Sequence, residues 1–172
     1  MSYFIHLVVR FFGSLRPGGP SSSNVAWVKS VLTDAEFARW SQLSGPDRRH
    51  SVAVARDVQR QLGESVSPIV LRAALLHDSG KLEARLHTPG RVLATVIGFR
   101  RTTAQREEMA RQSGLRGRIG RYLCHPTIGG NALAAINSDP LVVDWARQHH
   151  FSPTECTVEP EYATALRNAD ND

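Results

Sequence analysis

The sequence predicts an all-α protein that forms one domain. Apolar residues recur at helical spacing from about residue 34 onward, and short Pro, Gly and Ser stretches separate the helical segments. No stretch alternates convincingly between apolar and polar residues, as a half-buried strand would, and no internal repeat occurs. With 172 residues, 41% of them hydrophobic, the chain can bury one substantial core but is too short for two ordinary domains.

The helices can be placed by their apolar spacing and by start and stop signals. Thr33 or Asp34 can cap the first, Gly63 ends the second, and Pro68 stands at an early position of the third. After the fourth helix the chain continues as a polar stretch rich in Arg, without a predicted helix before residue 115. Helices are predicted over residues 34–43, 47–62, 67–76, 91–97, 115–123, 126–136, 140–149 and 159–169.

Residues 1–33 are predicted to form an apolar segment followed by a linker, ahead of a domain that covers residues 34–172. The apolar part, residues 3–12, is interrupted by His6 and Arg10, is too short to span a bilayer and lacks the basic start of a signal peptide. Residues 17–23, PGGPSSS, have the composition of a loop. We expect the apolar segment to pack against the domain, with docking on a membrane or partner as the alternative.

The chain is basic, with a formal net charge of +5 and a pI near 9.9. This favours anionic partners, although a solvated surface rich in Arg explains it equally well. Residues 100–121 hold many arginines, but few aromatic residues lie between them and no nucleic-acid motif is present, so the nucleic-acid signal is weak. The two cysteines, Cys124 and Cys156, cannot form a disulfide framework, which favours a reducing, cytoplasmic compartment.

Side chains that can bind metals occur at the ends of helices predicted to be buried. His77 and Asp78 directly follow the apolar segment 70–76, and buried polar groups need partners. His50 and Asp170 occupy core-facing positions of the second and the last predicted helix. Imidazole and carboxylate groups suit a shared metal ion. Each residue alone has an ordinary structural explanation, such as a core histidine with a hydrogen-bond partner.

Three further histidines strengthen the prediction. His125 stands directly before Pro126 at the start of a predicted helix, and His149 and His150 end another. Cys124, next to His125, is expected to be a small buried thiol rather than a ligand. Taken together, these positions predict a metal site between core helices.

These residues, in this order, resemble the motifs of the HD-domain superfamily. The resemblance covers roughly residues 47–172, and its nearest named branch is the HD-GYP group of cyclic-dinucleotide phosphodiesterases. The chain also looks like short, single-domain bacterial HD proteins. The resemblance implies a compact helical bundle with the metal site between its core helices. It rests on Arg49-His50, LLHDSGK at residues 75–81, HPTIG at residues 125–129, His149-His150 and Ala169-Asp170.

Two positions differ from relatives in that superfamily. Residues 151–155, FSPTE, stand where the HD-GYP branch has its Gly-Tyr-Pro signature, so activity on cyclic di-GMP is not expected. Pro46 stands where members with three metals have a glutamate, which implies two metal ions at most.

The resemblance implies a ligand set for each of two divalent metal ions. A set this rich in imidazole and carboxylate, able to supply five or six ligands, favours iron or manganese over tetrahedral zinc. The possibility that only one of His149 and His150 binds metal stays open. The first ion would be held by His50, His77, Asp78 and Asp170, and the second by Asp78 as a shared bridge with His125, His149 and His150.

The implied reaction is hydrolysis of a phosphoester, with a nucleotide or related small phosphorylated molecule as substrate. Asp78, as the bridge, and Lys81, as a contact for the substrate phosphate, are the expected catalytic residues. Two other functions stay open: a mixed-valent di-iron oxygenase, and a non-catalytic module that binds a nucleotide or a protein. The arginines that can add to a phosphate-binding rim, or simply be exposed, are Arg48, Arg49, Arg118 and Arg121.

Overall fold

The computed structural model describes residues 18–63, 66–152 and 155–171, and over these residues it contains helices and no strands. The apolar segment predicted at residues 3–12 lies outside the described residues. The helices are α1 (Ser22–Val31), α2 (Asp34–Ser41), α3 (Gly45–Leu62), α4 (Pro68–Leu76), α5 (Lys81–Ala84), α6 (Thr88–Gly98), α7 (Thr103–Arg111), α8 (Gly114–Leu123), α9 (His125–Ala135), α10 (Pro140–Gln148) and α11 (Pro160–Asn171).

The all-α prediction is confirmed, and the predicted start and stop signals act as expected. The Thr33 side chain caps α2 together with Glu36 in a capping box, and Gly63 ends α3 with a φ of 83°, a conformation that favours glycine. Three helices were not predicted, among them the short α5 that follows the His77-Asp78 turn. Ser21 caps α1 within the stretch read as a linker, and α7 lies in the polar stretch rich in Arg.

The main hydrophobic core lies between α1–α4 and α9–α11, with α4 at its centre. Helices α3, α10 and α1 all pack against α4, whose apolar side chains are almost completely buried. Val28 of α1 and Leu32 belong to this core, so the core extends before residue 34. Trp40 and Trp145 are the largest fully buried side chains in the described structure.

A second, smaller core joins α5–α8, and we call residues 81–123 the small lobe. Its buried members are Ala84, Leu86, Ala94, Met109 and Ile119. The lobe is inserted between α4 and α9, which carry two of the predicted metal-binding segments.

Two ion pairs fasten the small lobe to the main helices. The Arg91 guanidinium of α6 donates two hydrogen bonds to the Asp47 carboxylate of α3, at 2.6 and 2.7 Å. The Arg39 side chain of α2 bonds to the Ser79 carbonyl at 3.1 Å and to the Glu83 carboxylate at 2.8 Å. The bidentate bonds between Arg91 and Asp47 fix orientation as well as distance, so they hold the small lobe in position relative to α3. Among the described helices, none has the length and hydropathy needed to cross a bilayer.

Candidate metal centre

The centre of the site is the end of α4, where the chain leaves the main core. His77 is the C-terminal cap of α4 and Asp78 follows it, and they are 1% and 4% exposed. Because α4 is apolar and surrounded by other helices, it carries both side chains into the interior. A buried imidazole and carboxylate are costly unless they have partners.

The other predicted ligands come from four further helices and meet at this point. His50 lies on α3, His125 is the first residue of α9, His149 is the C-terminal cap of α10, and Asp170 lies near the end of α11. His150 follows His149, and its ring centroid is 4.0 Å from that of His149 and 5.3 Å from that of His125. The structure therefore brings together all seven predicted metal ligands.

Three of the imidazole rings are held in the same way by their own helical turns. The Nδ1 atoms of His77, His125 and His149 lie 2.8, 2.8 and 2.9 Å from backbone carbonyl oxygens three residues earlier. Since a carbonyl oxygen only accepts, each Nδ1 must carry a proton and donate it. The Nε2 atoms of all three rings are buried and have no hydrogen-bond partner among the described residues. Nε2 is thus the atom that each ring offers to a ligand.

Asp78 stands between two groups of these nitrogen atoms. Its Oδ1 lies 3.1 Å from Nε2 of His125 and 3.8 Å from Nε2 of His149, while its Oδ2 lies 3.5 Å from Nε2 of His77. Within each group the possible ligand atoms all lie within 4.8 Å of one another, close enough to share an ion. The groups are His50, His77 and Asp78, and His125, His149 and His150.

Asp170 joins the first group from α11. Its Oδ1 lies 3.0 Å from Nε2 of His50 and 3.4 Å from Nε2 of His77. The buried Nε2 atoms of His77, His125 and His149 face the two carboxylate oxygens of Asp78. This arrangement fits divalent metal ions, which bind the deprotonated forms of imidazole and carboxylate groups. The residues present could therefore hold metal on either side of Asp78.

The carboxylates strongly favour a proton on the buried His77 ring. Burial lowers the pKa of His77, but the negative charges of Asp78 and Asp170 outweigh it and raise the pKa to about 10. In Asp170, burial raises the pKa, and it is outweighed by His77 and His50, which hold the pKa well below its usual value. A metal ion must therefore displace a proton from His77.

The second group has the opposite electrostatics. Burial, together with the neighbouring imidazoles of His150 and His77, holds the pKa of His149 well below its ordinary value. Although His150 is exposed as a whole, partial burial of its ring and the nearby His125 lower its pKa to about 4. His149 and His150 are therefore neutral at pH 7, the form in which imidazole binds metals.

Lys81 lies beside this cluster, as the sequence predicts. Its Nζ donates to Oδ2 of Asp78, and its side chain is 14% exposed. Burial lowers the pKa of Lys81, but the charges of Asp78, Tyr122 and Asp47 outweigh it, so its pKa is raised and the group stays cationic. The site thus contains one fixed positive charge next to its central carboxylate.

The four arginines predicted to bind phosphate contact other parts of the fold. The Arg48 guanidinium lies 5.6 Å from the centroid of the Trp40 ring, and Arg49 donates to the Gly18 carbonyl. Their role as phosphate contacts stays a prediction. In the small lobe, Arg118 donates to the carbonyl of Ala84 at 3.2 Å and Arg121 to that of Glu83 at 3.0 Å.

An open cavity of about 260 Å³ leads to the first ligand group. It runs between α3 and α11, and its lining includes His50, Asp170, Asp57 and Arg60. Cys124, expected to be buried, is only half-buried, and burial raises the pKa of its thiol.

Sequence reasoning missed a close backbone contact that positions His125. A Cβ atom at Gly80 would lie 2.0 Å from the carbonyl oxygen of His125 and 2.6 Å from the backbone nitrogen of Gly129. Only glycine at position 80 lets the turn after Asp78 approach the first turn of α9 this closely. The signal in the sequence is the pair of glycines in the segments HDSGK and HPTIG.

Replacement of Gly80 by alanine is expected to push α9 away from α4. We expect Gly80→Ala to lose the metal of the His125 group and to lower the free energy of unfolding by about 1–3 kcal/mol. Metal content per chain and urea unfolding measure the two effects. Gly90→Ala is the control, since its Cβ would meet only the end of the Leu86 side chain, at 3.0 Å. Equal metal content in both variants would contradict the positioning role.

The chain was compared with protein-family models, with curated proteins and with solved structures, and none of the three comparisons gave a match. Function is therefore inferred from the geometry of the site.

Proposed function

We propose that this protein is a metal-dependent phosphohydrolase of the HD-domain type with a dinuclear centre at Asp78. The observation that carries the proposal is the meeting of three Nδ1-protonated imidazoles, whose buried Nε2 atoms have no hydrogen-bond partner in the described structure, around the two oxygens of one carboxylate. A structural histidine needs no such arrangement, because a neighbouring donor or acceptor would satisfy it.

The proposed ligands divide at Asp78. The first set adds Asp170, which contacts both His50 and His77, and the second is completed by His150. Both sets consist of imidazoles and carboxylates, and with solvent each can reach five or six ligands, so we propose iron or manganese. We also propose a reducing, cytoplasmic compartment, in agreement with two free cysteines among the described residues.

The side chains have separate roles in the proposed hydrolysis. Two bound divalent ions would supply an activated water and neutralise the charge that develops on the phosphoryl group. Asp78 holds the two ligand sets in a fixed relation, and the carbonyl bonds to Nδ1 keep the rings from rotating. Lys81, cationic and beside Asp78, can exchange its carboxylate partner for a substrate phosphate oxygen. The substrate class is a small phosphoester, which enters from the solvent.

A panel of phosphoesters tests this reaction directly. Protein loaded with iron or manganese is assayed on nucleoside monophosphates, cyclic nucleotides, nucleoside triphosphates and non-nucleotide phosphoesters, with release of phosphate or product as the readout. We expect turnover on at least one class and none after chelation. Oxygen consumption by the reduced, metal-loaded protein without phosphoester hydrolysis would overturn the proposal in favour of an oxygenase. Metal-free protein that stays folded and gains no activity with metal would leave a binding module.

Lys81 provides a sharper test of the proposed chemistry. Lys81→Ala is expected to retain both metals and to lower kcat by about 10²–10³-fold, as for other groups that stabilise transition-state charge. The matched control is Lys29→Ala, which removes the only other lysine, an exposed residue of α1. If Lys81→Ala matches the wild-type protein on every active substrate, Lys81 has no catalytic role.

A further inference from the structure

Helix α6 of the small lobe is apolar on both sides. Ala94 and Gly98 face the small core and are buried. Val92, Val96 and Phe99, spaced four and three residues apart, share the opposite side of the helix. We call Val92, Leu93, Val96 and Phe99 the α6 face; they are 45%, 45%, 68% and 88% exposed.

An apolar outer face is unusual for a helix at a protein surface. Surface helices present polar side chains to water, and a helix that is apolar all round is normally covered on both sides. Contiguous exposed apolar groups mark sites that bind a partner or a membrane. The α6 face is therefore a candidate docking surface, and the charges in the same segment indicate which partner would fit it.

The sequence that carries the α6 face is basic, although Arg91 within it is paired with Asp47. Residues 84–106 contain five arginines and no aspartate or glutamate, although they form only a small part of a chain with 16 acidic residues. Arg100 and Arg101 directly follow Phe99, at the end of the face, and both are exposed. Apolar side chains bordered by cationic ones match the boundary between lipid headgroups and acyl chains, where apolar groups insert and arginines contact anionic headgroups.

We propose that the α6 face docks on an anionic lipid surface. Val96 and Phe99 insert between the headgroups, and Arg100 and Arg101 contact the lipid phosphates. This function is separate from the proposed hydrolysis, because the α6 face contains none of the metal ligands. It would hold the metal centre close to a membrane without a spanning helix.

Co-sedimentation with vesicles tests the proposal. The full chain is mixed with vesicles of phosphatidylcholine and phosphatidylglycerol in equal amounts, and separately with pure phosphatidylcholine. We expect binding to the anionic vesicles that weakens as salt is added, and little binding to the neutral ones. The double variant Val96→Asp/Phe99→Asp should lower the partition coefficient at least about tenfold. Arg100→Gln/Arg101→Gln should lower it about 25-fold, because one arginine beside an anionic surface contributes roughly fivefold.

A matched control separates a local contact from overall charge. Arg60→Gln/Arg111→Gln removes the same charge from two side chains that are 71% and 70% exposed and lie outside the α6 face. Because neither arginine belongs to the α6 face, and overall charge contributes little to binding in the presence of salt, we expect less than about a twofold change in the partition coefficient. Circular dichroism and metal content establish that every variant is folded.

Several results would overturn the proposal. In one, the wild-type protein stays in the supernatant with anionic vesicles, or the Val96→Asp/Phe99→Asp variant binds them as the wild-type protein does. In another, the protein is a dimer in sedimentation velocity, the same variant is a monomer, and neither binds vesicles; the face would then be an interface between two copies. Binding of single-stranded RNA in place of vesicles would assign the arginines to a nucleic acid.

Discussion

Asp78→Ala is expected to lose metal at both positions of the centre, leaving less than about a tenth of the wild-type content. Its Oδ1 faces His125 and His149 while its Oδ2 faces His77, so one substitution removes the carboxylate that the two proposed ligand sets share. Elemental analysis of protein dialysed against iron or manganese measures this. Chelation should lower the melting temperature of the wild-type protein but not of the variant, since saturation at 100 times Kd stabilises a fold by about 2.7 kcal/mol per site.

Two further variants locate the effect. Asp57→Ala removes a carboxylate that lines the cavity beside His50 and Asp170 but belongs to neither ligand group. This variant should keep both metals. Asp170→Ala removes a contact of His50 and His77 alone, and should lose the first metal and keep the second. Two metals per chain in folded Asp78→Ala protein would refute the bridging role.

Glu36→Gln is expected to cost about 3–5 kcal/mol of unfolding free energy, the typical effect of breaking a buried ion pair. Glu36 is completely buried and accepts two hydrogen bonds from the Arg72 guanidinium, at 2.8 and 2.7 Å. It also accepts from the backbone nitrogen of Thr33, at 3.0 Å, in the capping box of α2. The variant leaves Arg72 without its charged partner between α2 and α4. Urea unfolding at neutral pH measures the loss.

The difference in unfolding free energy between the wild-type protein and Glu36→Gln should depend on pH, because the Glu36 carboxylate can be protonated. Burial raises the pKa of Glu36, but the bonds from Arg72 and Thr33 outweigh it and hold the pKa below its ordinary value of 4.5. The stabilisation is therefore fully present above pH 4.5 and is lost as the pH falls through the lower, folded-state pKa. The difference in unfolding free energy between the wild-type protein and Glu36→Gln should therefore become smaller below pH 4.5.

An exposed ion pair gives the control for Glu36. Glu108→Gln breaks the pair with Arg111 on α7, whose side chains are 62% and 70% exposed, and should change stability by less than about 1 kcal/mol. The stabilising role of the Glu36–Arg72 pair would be contradicted if Glu36→Gln lost less than about 1 kcal/mol of unfolding free energy. It would also be contradicted if the difference from the wild-type protein became larger at low pH.

The candidate metal centre could be predicted because its possible ligands stand at sites with strong local signals. His77 and Asp78 end an apolar helix, His125 precedes a proline, and His149 and His150 end α10. At such positions, the end of the helix determines where the residue's backbone lies relative to the core. What the sequence did not reveal is the packing that brings these ends together, such as the backbone contact at Gly80.

The missed helices and contacts have physical reasons. Helix α7 begins with a capping box at Thr102 and Gln105, but buries only Met109, so it has no apolar stripe to detect. Helix α1 begins at a serine-rich stretch whose Ser21 is a cap. Arg121 bonds to a carbonyl 38 residues away, and spacing along the chain does not encode a contact of that range.

The bonds from the three Nδ1 atoms to carbonyls three residues earlier separate two contributions to the geometry of the centre. Each ring is oriented by a carbonyl of its own helical turn and not by a neighbouring helix. The distances between the rings, by contrast, exist only once α4, α9 and α10 have packed together. The helical turns thus orient the individual rings, while tertiary packing brings them close enough together to bind a metal ion. Binding of a metal ion at the candidate centre would therefore require the packed arrangement of these helices.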